Sequence, residues 1–295
     1  MRTKRLTVPA AVLLLASCNP PPRTAVDDVK VPVSTEQGAP SKPEAPPAGC
    51  PSGMVLLPAG TFKMGMTEAD DDTMPGDTPE HAVTVAAFCM AVTETTVGQY
   101  EECIQSGRCT AAGAVGNPHC NAGLKDRSDH PINCVDFAQA EAYCAAHDAR
   151  LPTEEEWEYA ARGTAGRKYP WGSAAPDTSK LNVCDEGCVA LALKIDFMFE
   201  TSDGFTTTAP VGSFPKGATP EGLQDMAGNV AEWTTGKDCP YTETSCSAKE
   251  RIVRGGGWNS GMRGSVTGAG RTFGARDPSS QLSGIGFRCA SPVQR

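Results

Sequence analysis

Histidine is scarce in this 295-residue chain: His81, His119, His130 and His147 are the four copies, and no two stand in an H-x-H or H-x-x-x-H arrangement. The usual zinc and non-haem iron sites, which draw on such imidazole pairs, have little to work with. Basic residues are in deficit as well, with 26 Lys and Arg against 35 Asp and Glu and a formal net charge of −9. A groove that neutralises phosphates needs clustered Lys and Arg, so nucleic acid is not an expected partner. The apolar run at residues 8–16 is interrupted by Pro9 and is too short to span a bilayer as a mature helix.

What the chain has in excess is turn-forming residues. Its 31 Gly and 24 Pro make up nearly a fifth of the sequence, which argues against a helical bundle and for a loop-rich α+β or β architecture. No period of 20 to 50 residues recurs, so repeat architectures are excluded.

Residues 1–17 read as a signal peptide: a basic start (Arg2, Lys4, Arg5), the short apolar run, then small residues. The ending Leu15-Ala16-Ser17-Cys18 resembles a bacterial lipobox, in which cleavage leaves the cysteine as the lipid-modified first residue; the alternative is an ordinary cleaved signal with Cys18 incidental. Cleavage would remove three positive charges and leave a net charge of about −12. Residues 18–49 are rich in Pro, Ala, Ser and Thr without apolar periodicity, the composition of a disordered, partly polyproline tether. Residues 50–293 form the folded domain, and the expected setting is the bacterial cell envelope, periplasm or cell surface, with the membrane met through the lipid anchor.

Setting Cys18 aside leaves an even number of the 13 cysteines, and in an exported chain disulfides are the default reading. Cys103 with Cys109, Cys184 with Cys188, and Cys239 with Cys246 could each close a small loop, although spacing alone does not settle the connectivity. Zinc at Cys184-x-x-x-Cys188 is the rival for one pair.

Within the folded region, residues 54–65 read as two short strands broken by Pro58-Ala59-Gly60, a hairpin signal, and residues 81–88 as a further strand. A helix is expected over residues 93–106, with Val97, Tyr100 and Ile104 on one stripe and Gly107 at its stop. Asp136 and Gln139 have capping-box spacing and predict a second helix to about His147, burying Phe137, Ala140 and Cys144. Thr153 and Glu156 repeat the device, with Glu154, Glu155 and Glu156 at the positive end of the helix dipole and Trp157, Ala160 and Ala161 on the buried face.

Several strings, in order and spacing, resemble the formylglycine-generating enzyme family, also called the sulfatase-modifying factor family. They are residues 54–65, Glu94-Thr95-Thr96, His130-Pro131-Ile132, residues 150–160, Tyr169-Pro170-Trp171-Gly172, residues 225–233, Arg254-Gly255-Gly256-Gly257-Trp258 and Gly286-Phe287-Arg288-Cys289. The resemblance covers almost all of the folded region. It implies a single compact α+β domain of the C-type-lectin-like kind, with little regular secondary structure and braced by disulfides.

Family members that are oxidases convert a substrate-protein cysteine to formylglycine with oxygen and a copper ion held by two cysteines. Counted from the glycine pair, those positions fall on Ser260 and Ser265, and no residue between Cys246 and Cys289 is cysteine. Copper(I) prefers thiolate sulfur, whereas a serine hydroxyl is a hard oxygen that stays protonated near neutral pH. Copper is therefore not expected, and neither serine has a local base that would make it a nucleophile. A related branch uses iron held by histidines on an additional N-terminal helical domain; here that position holds the tether.

The resemblance also implies two calcium sites. Asn182 and Asp203 match side-chain ligands of the first, with Val183 and Phe205 as carbonyl donors. Asp225 and Glu232 match side-chain ligands of the second, with Gly228 and Val230 as carbonyl donors, and the family often has Asn where Asp225 stands. Hard oxygen donors of both kinds suit calcium, and loop-backbone hydrogen bonding is the competing role for the same groups. The family disulfide from the helix to the Gly-Phe-Arg-Cys string maps onto Cys144 and Cys289; a second one is not carried over, because its first position is Ala161. Trp157, Trp171, Trp233 and Trp258 read as core and loop supports sooner than as a ligand cleft.

The reading that these features favour is an exported, lipid-anchored domain that binds a protein, peptide or glycan without catalysis. The alternative is a formylglycine-generating-type oxidase or related oxidoreductase working with other ligands.

Overall fold

The computed structural model describes residues 49–294 apart from 75, 114–115, 190–196 and 244–247, with the backbone alone for 189 and 272–275. The signal peptide, Cys18, nearly all of the tether and Cys246 lie outside the described residues.

Regular structure is sparse and mixed. Strands β1 (Met54–Leu57), β2 (Gly60–Met64), β3 (His81–Val85) and β4 (Phe88–Ala91) come first, then helices α1 (Val97–Gln105), α2 (Phe137–Ala146), α3 (Glu154–Arg162) and the single turn α4 (Glu186–Val189). Strands β5 (Ala231–Lys237), β6 (Arg251–Arg254), β7 (Arg271–Arg276), β8 (Ile285–Gly286) and β9 (Ala290–Pro292) complete the chain. Among the described residues they form three sheets, ordered β1-β4-β9, β2-β3 and β7-β6-β5-β8, in which the β5–β8 pairing alone is parallel. This is the α+β, loop-rich architecture that the Gly and Pro content requires.

The expected hairpin at residues 54–65 does not form. β1 pairs with β4, Leu57 opposite Phe88, and β2 pairs with β3, Phe62 opposite Val83. Pro58 holds φ near the proline value, whereas the tight hairpin turns need positive φ, so the chain changes sheets instead of reversing. The Pro58 carbonyl accepts from the Tyr159 hydroxyl at 3.0 Å, tying this crossover to α3.

Helix α1 starts later than expected. Thr96 is its N-cap and exchanges bonds with Gln99, a capping box within the run read as helix, and residues 93–95 lie outside the helix, with Thr95 N–H on the Phe287 carbonyl. Helices α2 and α3 carry their expected boxes, Asp136 with Gln139 and Thr153 with Glu156.

Helix α3 is buried well beyond its apolar stripe. Glu154, Glu156, Glu158 and Arg162 are buried alongside Trp157, Ala160 and Ala161. The acids meet arginines: Glu158 takes Arg254 at 2.6 Å and Arg162 at 2.7 Å, and Glu154 takes Arg271 at 2.8 Å. One core gathers Tyr100, Tyr143, Trp233 and Phe287 between α1, α2 and the four-stranded sheet. A second gathers Phe62, Met64, Phe88, Trp157 and Tyr159 around α3.

Five disulfides join described cysteines: Cys50–Cys89, Cys103–Cys109, Cys120–Cys134, Cys144–Cys289 and Cys184–Cys188. Cys239 is also disulfide-bonded, and its expected partner Cys246 falls outside the described residues. Such density marks an oxidising, extracellular or exported setting. No helix among the described residues is long and apolar enough to cross a membrane.

Candidate functional site

Ser260 and Ser265 sit on either side of Gly256, at the end of the loop that leaves β6. A Cβ at Gly256, whose φ is +70°, would lie 3.1 Å from the Ser260 hydroxyl and 3.0 Å from the Ser265 carbonyl, so the two segments close around a bare glycine. Both serines are fully buried. Ser260 Oγ accepts the Gly257 N–H at 3.0 Å, and Ser265 Oγ donates to the Met262 carbonyl at 2.6 Å. The proton of Ser265 is thus directed at main chain and not at a base.

A cavity of about 50 Å³ opens beside Ser260, lined by Asn259, Arg276, Leu282 and Gly284 among others. It has room for a few ordered waters. Trp258, two residues before Ser260, packs in a buried cluster with Cys184 and Cys188, with the His119 ring 5.6 Å from its own. The sulfur near this pocket is therefore already oxidised, and the zinc alternative for Cys184 and Cys188 is replaced by a disulfide. Among the described residues no three of His, Cys, Asp and Glu group in a metal-holding arrangement. Protonated hydroxyls engaged with backbone do not fit a copper(I) ion.

The first candidate calcium set is drawn together. Asn182 is buried, its Nδ2 donates to the Thr207 carbonyl at 2.8 Å, and its Oδ1 has no hydrogen-bond donor. Asp203 accepts the N–H groups of Val183 at 3.2 Å and Phe205 at 2.9 Å, which fixes the Asp203-Gly204-Phe205 turn against Asn182-Val183. Burial pushes the Asp203 carboxyl up to about 7, with the Asp185 charge adding to the rise. A buried amide oxygen without a donor beside a carboxylate short of positive charge is a fitting start for a hard cation.

The second set is assembled on a strained turn. Asp225 and Asn229 have φ of +56° and +60°, in the region that non-glycine residues seldom adopt. Between them Gly228 has φ +82°, and a Cβ there would collide with the Asn182 carbonyl oxygen. That oxygen accepts the Asn229 N–H at 2.8 Å, so the two candidate sets lie back to back. Val230 is buried directly after the turn.

Glu232 is held elsewhere within this set. Arg288 donates to both its oxygens at 2.7 to 2.9 Å, and Trp157 Nε1 adds a bond at 2.8 Å. Arg288 spends its other donors on the carbonyls of Ala91, Val92 and Gln224.

Glu94 is the residue that sequence reasoning passed over. It is 1% exposed, and neither carboxyl oxygen has a hydrogen-bond donor. Burial, followed by repulsion from Asp225, pushes its carboxyl well above the ordinary glutamate range. Burial raises Asp225 too, against the pull of the Gly212 N–H on its Oδ2. Two facing acids with so few donors fit a hard cation between them. The signal was present as an acid directly before the Thr95-Thr96 entry to α1, but the residue served only as part of a family string.

Against known proteins, residues 40–293 match the family model described as the sulfatase-modifying factor enzyme 1-like domain. The chain is 31% identical over 283 residues to the inactive C-alpha-formylglycine-generating enzyme 2 of Mus musculus, covering 82% of this chain and 86% of that one. It is 30% identical over 289 residues to the formylglycine-generating enzyme of Streptomyces coelicolor, covering 81% and 89%. Among solved structures, that of PvdO from Pseudomonas aeruginosa is similar at 26% identity with a TM-score of 0.66, covering 81% of this chain and 94% of PvdO.

Proposed function

From the sulfatase-modifying factor enzyme family, to which this chain belongs, we propose a member that has given up copper-dependent oxidation and serves as a lipid-anchored binding domain of the cell envelope. Its ligand is a protein, peptide or glycan. The observation that carries this reading is the pair of buried serines at the copper-ligand positions, each hydroxyl engaged with backbone. A similar mammalian protein carries the name of an inactive formylglycine-generating enzyme, which supports the reading. Anchoring rests on Cys18 at the end of the lipobox-like string.

Calcium is the cofactor of this reading. Asn182, Val183, Asp203 and Phe205 would hold one ion. Asp225, Gly228, Val230 and Glu232 would hold the second, with the Glu94 carboxyl near Asp225 and Glu232 sharing its oxygens with Arg288 and Trp157. The ions serve structure: they neutralise buried acids and hold the two loops in one arrangement.

The test is to load the full chain with copper(I) without oxygen, then to admit oxygen in the presence of a cysteine-containing peptide. The expected result is neither stoichiometric copper uptake nor oxygen-dependent oxidation of the peptide. Stoichiometric uptake with turnover would overturn the reading in favour of a formylglycine-generating-type oxidase. Anchoring is checked separately, by labelling cells with a fatty-acid analogue and comparing the Cys18→Ala variant.

A further inference from the structure

The smallest disulfide ring in the described structure lies between the vacated copper position and the first candidate cation set. Cys184 and Cys188 are four residues apart, both buried against Trp258. On one side, Cys184 N–H donates to the Ser260 carbonyl at 3.1 Å. On the other, Cys184 directly follows Asn182 and Val183.

Inside the ring sits Asp185, which is fully buried. Its Oδ1 accepts the N–H groups of Gly187 at 2.8 Å and Cys188 at 3.3 Å, and its Oδ2 accepts the Asp203 N–H at 2.7 Å. The disulfide therefore closes the turn that shapes Asp185, and Asp185 fixes the backbone of the cation-set carboxylate Asp203. Another short ring among the described residues, Cys103–Cys109, closes the C-terminal end of α1.

We propose that the Cys184–Cys188 disulfide gates the first cation set, so that this calcium site is completed only once the pair is oxidised. The proposal rests on the calcium reading above and adds its regulation. Oxidation moves two electrons and two protons from the two thiols to an external disulfide, which leaves as two thiols, while one sulfur–sulfur bond forms in the protein. Burial of both sulfurs under Trp258 makes this a step taken as the chain closes, and the finished bond is then shielded from exchange. In a reducing compartment the turn holding Asp185 is unclosed and Asp203 is unpositioned. After export both are set, and the ion can bind. Partners that orient metal ligands without touching the ion commonly carry 10- to 100-fold in affinity.

The experiment is calorimetric titration of the full chain with calcium, in wild type and in Cys184→Ser/Cys188→Ser, Cys103→Ser/Cys109→Ser and Asp203→Asn variants, each checked for cooperative thermal unfolding. Wild type is expected to bind two ions. Cys184→Ser/Cys188→Ser is expected to keep the second and weaken the first by about tenfold or more. Cys103→Ser/Cys109→Ser is expected to keep both. Equal first-site affinity in wild type and Cys184→Ser/Cys188→Ser overturns the gate, as does equal weakening in the two double variants. Should Asp203→Asn leave the wild-type isotherm unchanged, the calcium reading itself falls, a result distinct from failure of the gate alone. If Cys184→Ser/Cys188→Ser does not fold, Cys184→Ala/Cys188→Ala, which places no hydroxyl in the buried site, is titrated in the same way, and equal first-site affinity in it and in wild type overturns the gate.

Discussion

Arg254 of β6 and Glu158 of α3 form an ion pair 2.6 Å long in which neither side chain is exposed to solvent. The remaining Glu158 oxygen accepts from Gly65 N–H and from Arg162, each at 2.7 Å, and Arg254 donates to the Ala269 carbonyl at 2.5 Å. The pair is the hinge of a buried charge network that fastens α3 to the four-stranded sheet.

Removing Arg254 leaves the buried Glu158 carboxylate with Arg162 as its remaining cation and no water to replace the lost one. Arg254→Met is expected to destabilise the fold by about 3–5 kcal/mol, measured by urea unfolding. The double variant Arg254→Met/Glu158→Met is expected to lose less than the sum of the two single changes, because it leaves no orphaned charge between them.

Calcium is expected to raise the thermal midpoint in a concentration-dependent manner, by about 2.7 kcal/mol of stability at a hundred times the dissociation constant for one site. A chelator reverses the rise. Glu94→Gln and Asp203→Asn are each expected to remove part of the calcium-dependent increment, read as the shift between chelated and calcium-loaded scans.

Gly228→Ala is expected to cost at least about 1–3 kcal/mol, since the new methyl would be strained at φ +82° and would press on the Asn182 carbonyl. Thermal unfolding with and without calcium measures it, and the calcium-dependent increment should shrink along with the midpoint.

Tyr100 and Tyr143 stack with centroids 5.5 Å apart, and burial pushes each hydroxyl up to about 12. The fold therefore favours their neutral forms. The associated stability is complete below pH 10, where an unfolded tyrosine is still neutral, and is lost as pH rises from about 10 to 12. Midpoints recorded across that range are expected to fall, in step with phenolate absorbance, and Tyr143→Phe is expected to make the fall shallower.

The disulfide Cys144–Cys289 closes a separation of 145 residues between α2 and the segment before β9. Cys144→Ser/Cys289→Ser is expected to lose on the order of 4–5 kcal/mol by the chain-entropy argument, far more than opening the six-residue separation of Cys103–Cys109. Denaturant unfolding of the two double variants compares them directly.

Much of this was legible in the residues themselves. Capping boxes are local, so Asp136 with Gln139 and Thr153 with Glu156 announced α2 and α3; Thr96 with Gln99 carried the same message for α1 but lay inside a run already read as helix. The sheet changes at Pro58 and the burial of the Glu154 and Glu158 carboxylates were not legible, because both depend on partners about 100 residues away, such as Tyr159 for Pro58 and Arg254 for Glu158. The absence of thiols at 260 and 265 could be read directly from residue type. Glu94 could not be weighed in the same way, since a glutamate before a helix is ordinarily solvated and only the surrounding Asp225, Glu232 and Arg288 make it exceptional.

Gly49 and Gln294 exchange two main-chain hydrogen bonds, at 3.1 and 3.0 Å, so the strand-like entry to the folded region lies beside its exit. A mechanical load taken up between these two points would act across that bridge and peel its bonds one after another instead of shearing them together. The neighbouring Cys50–Cys89 and Cys144–Cys289 bonds lie just behind it and would arrest the peel before either core opened.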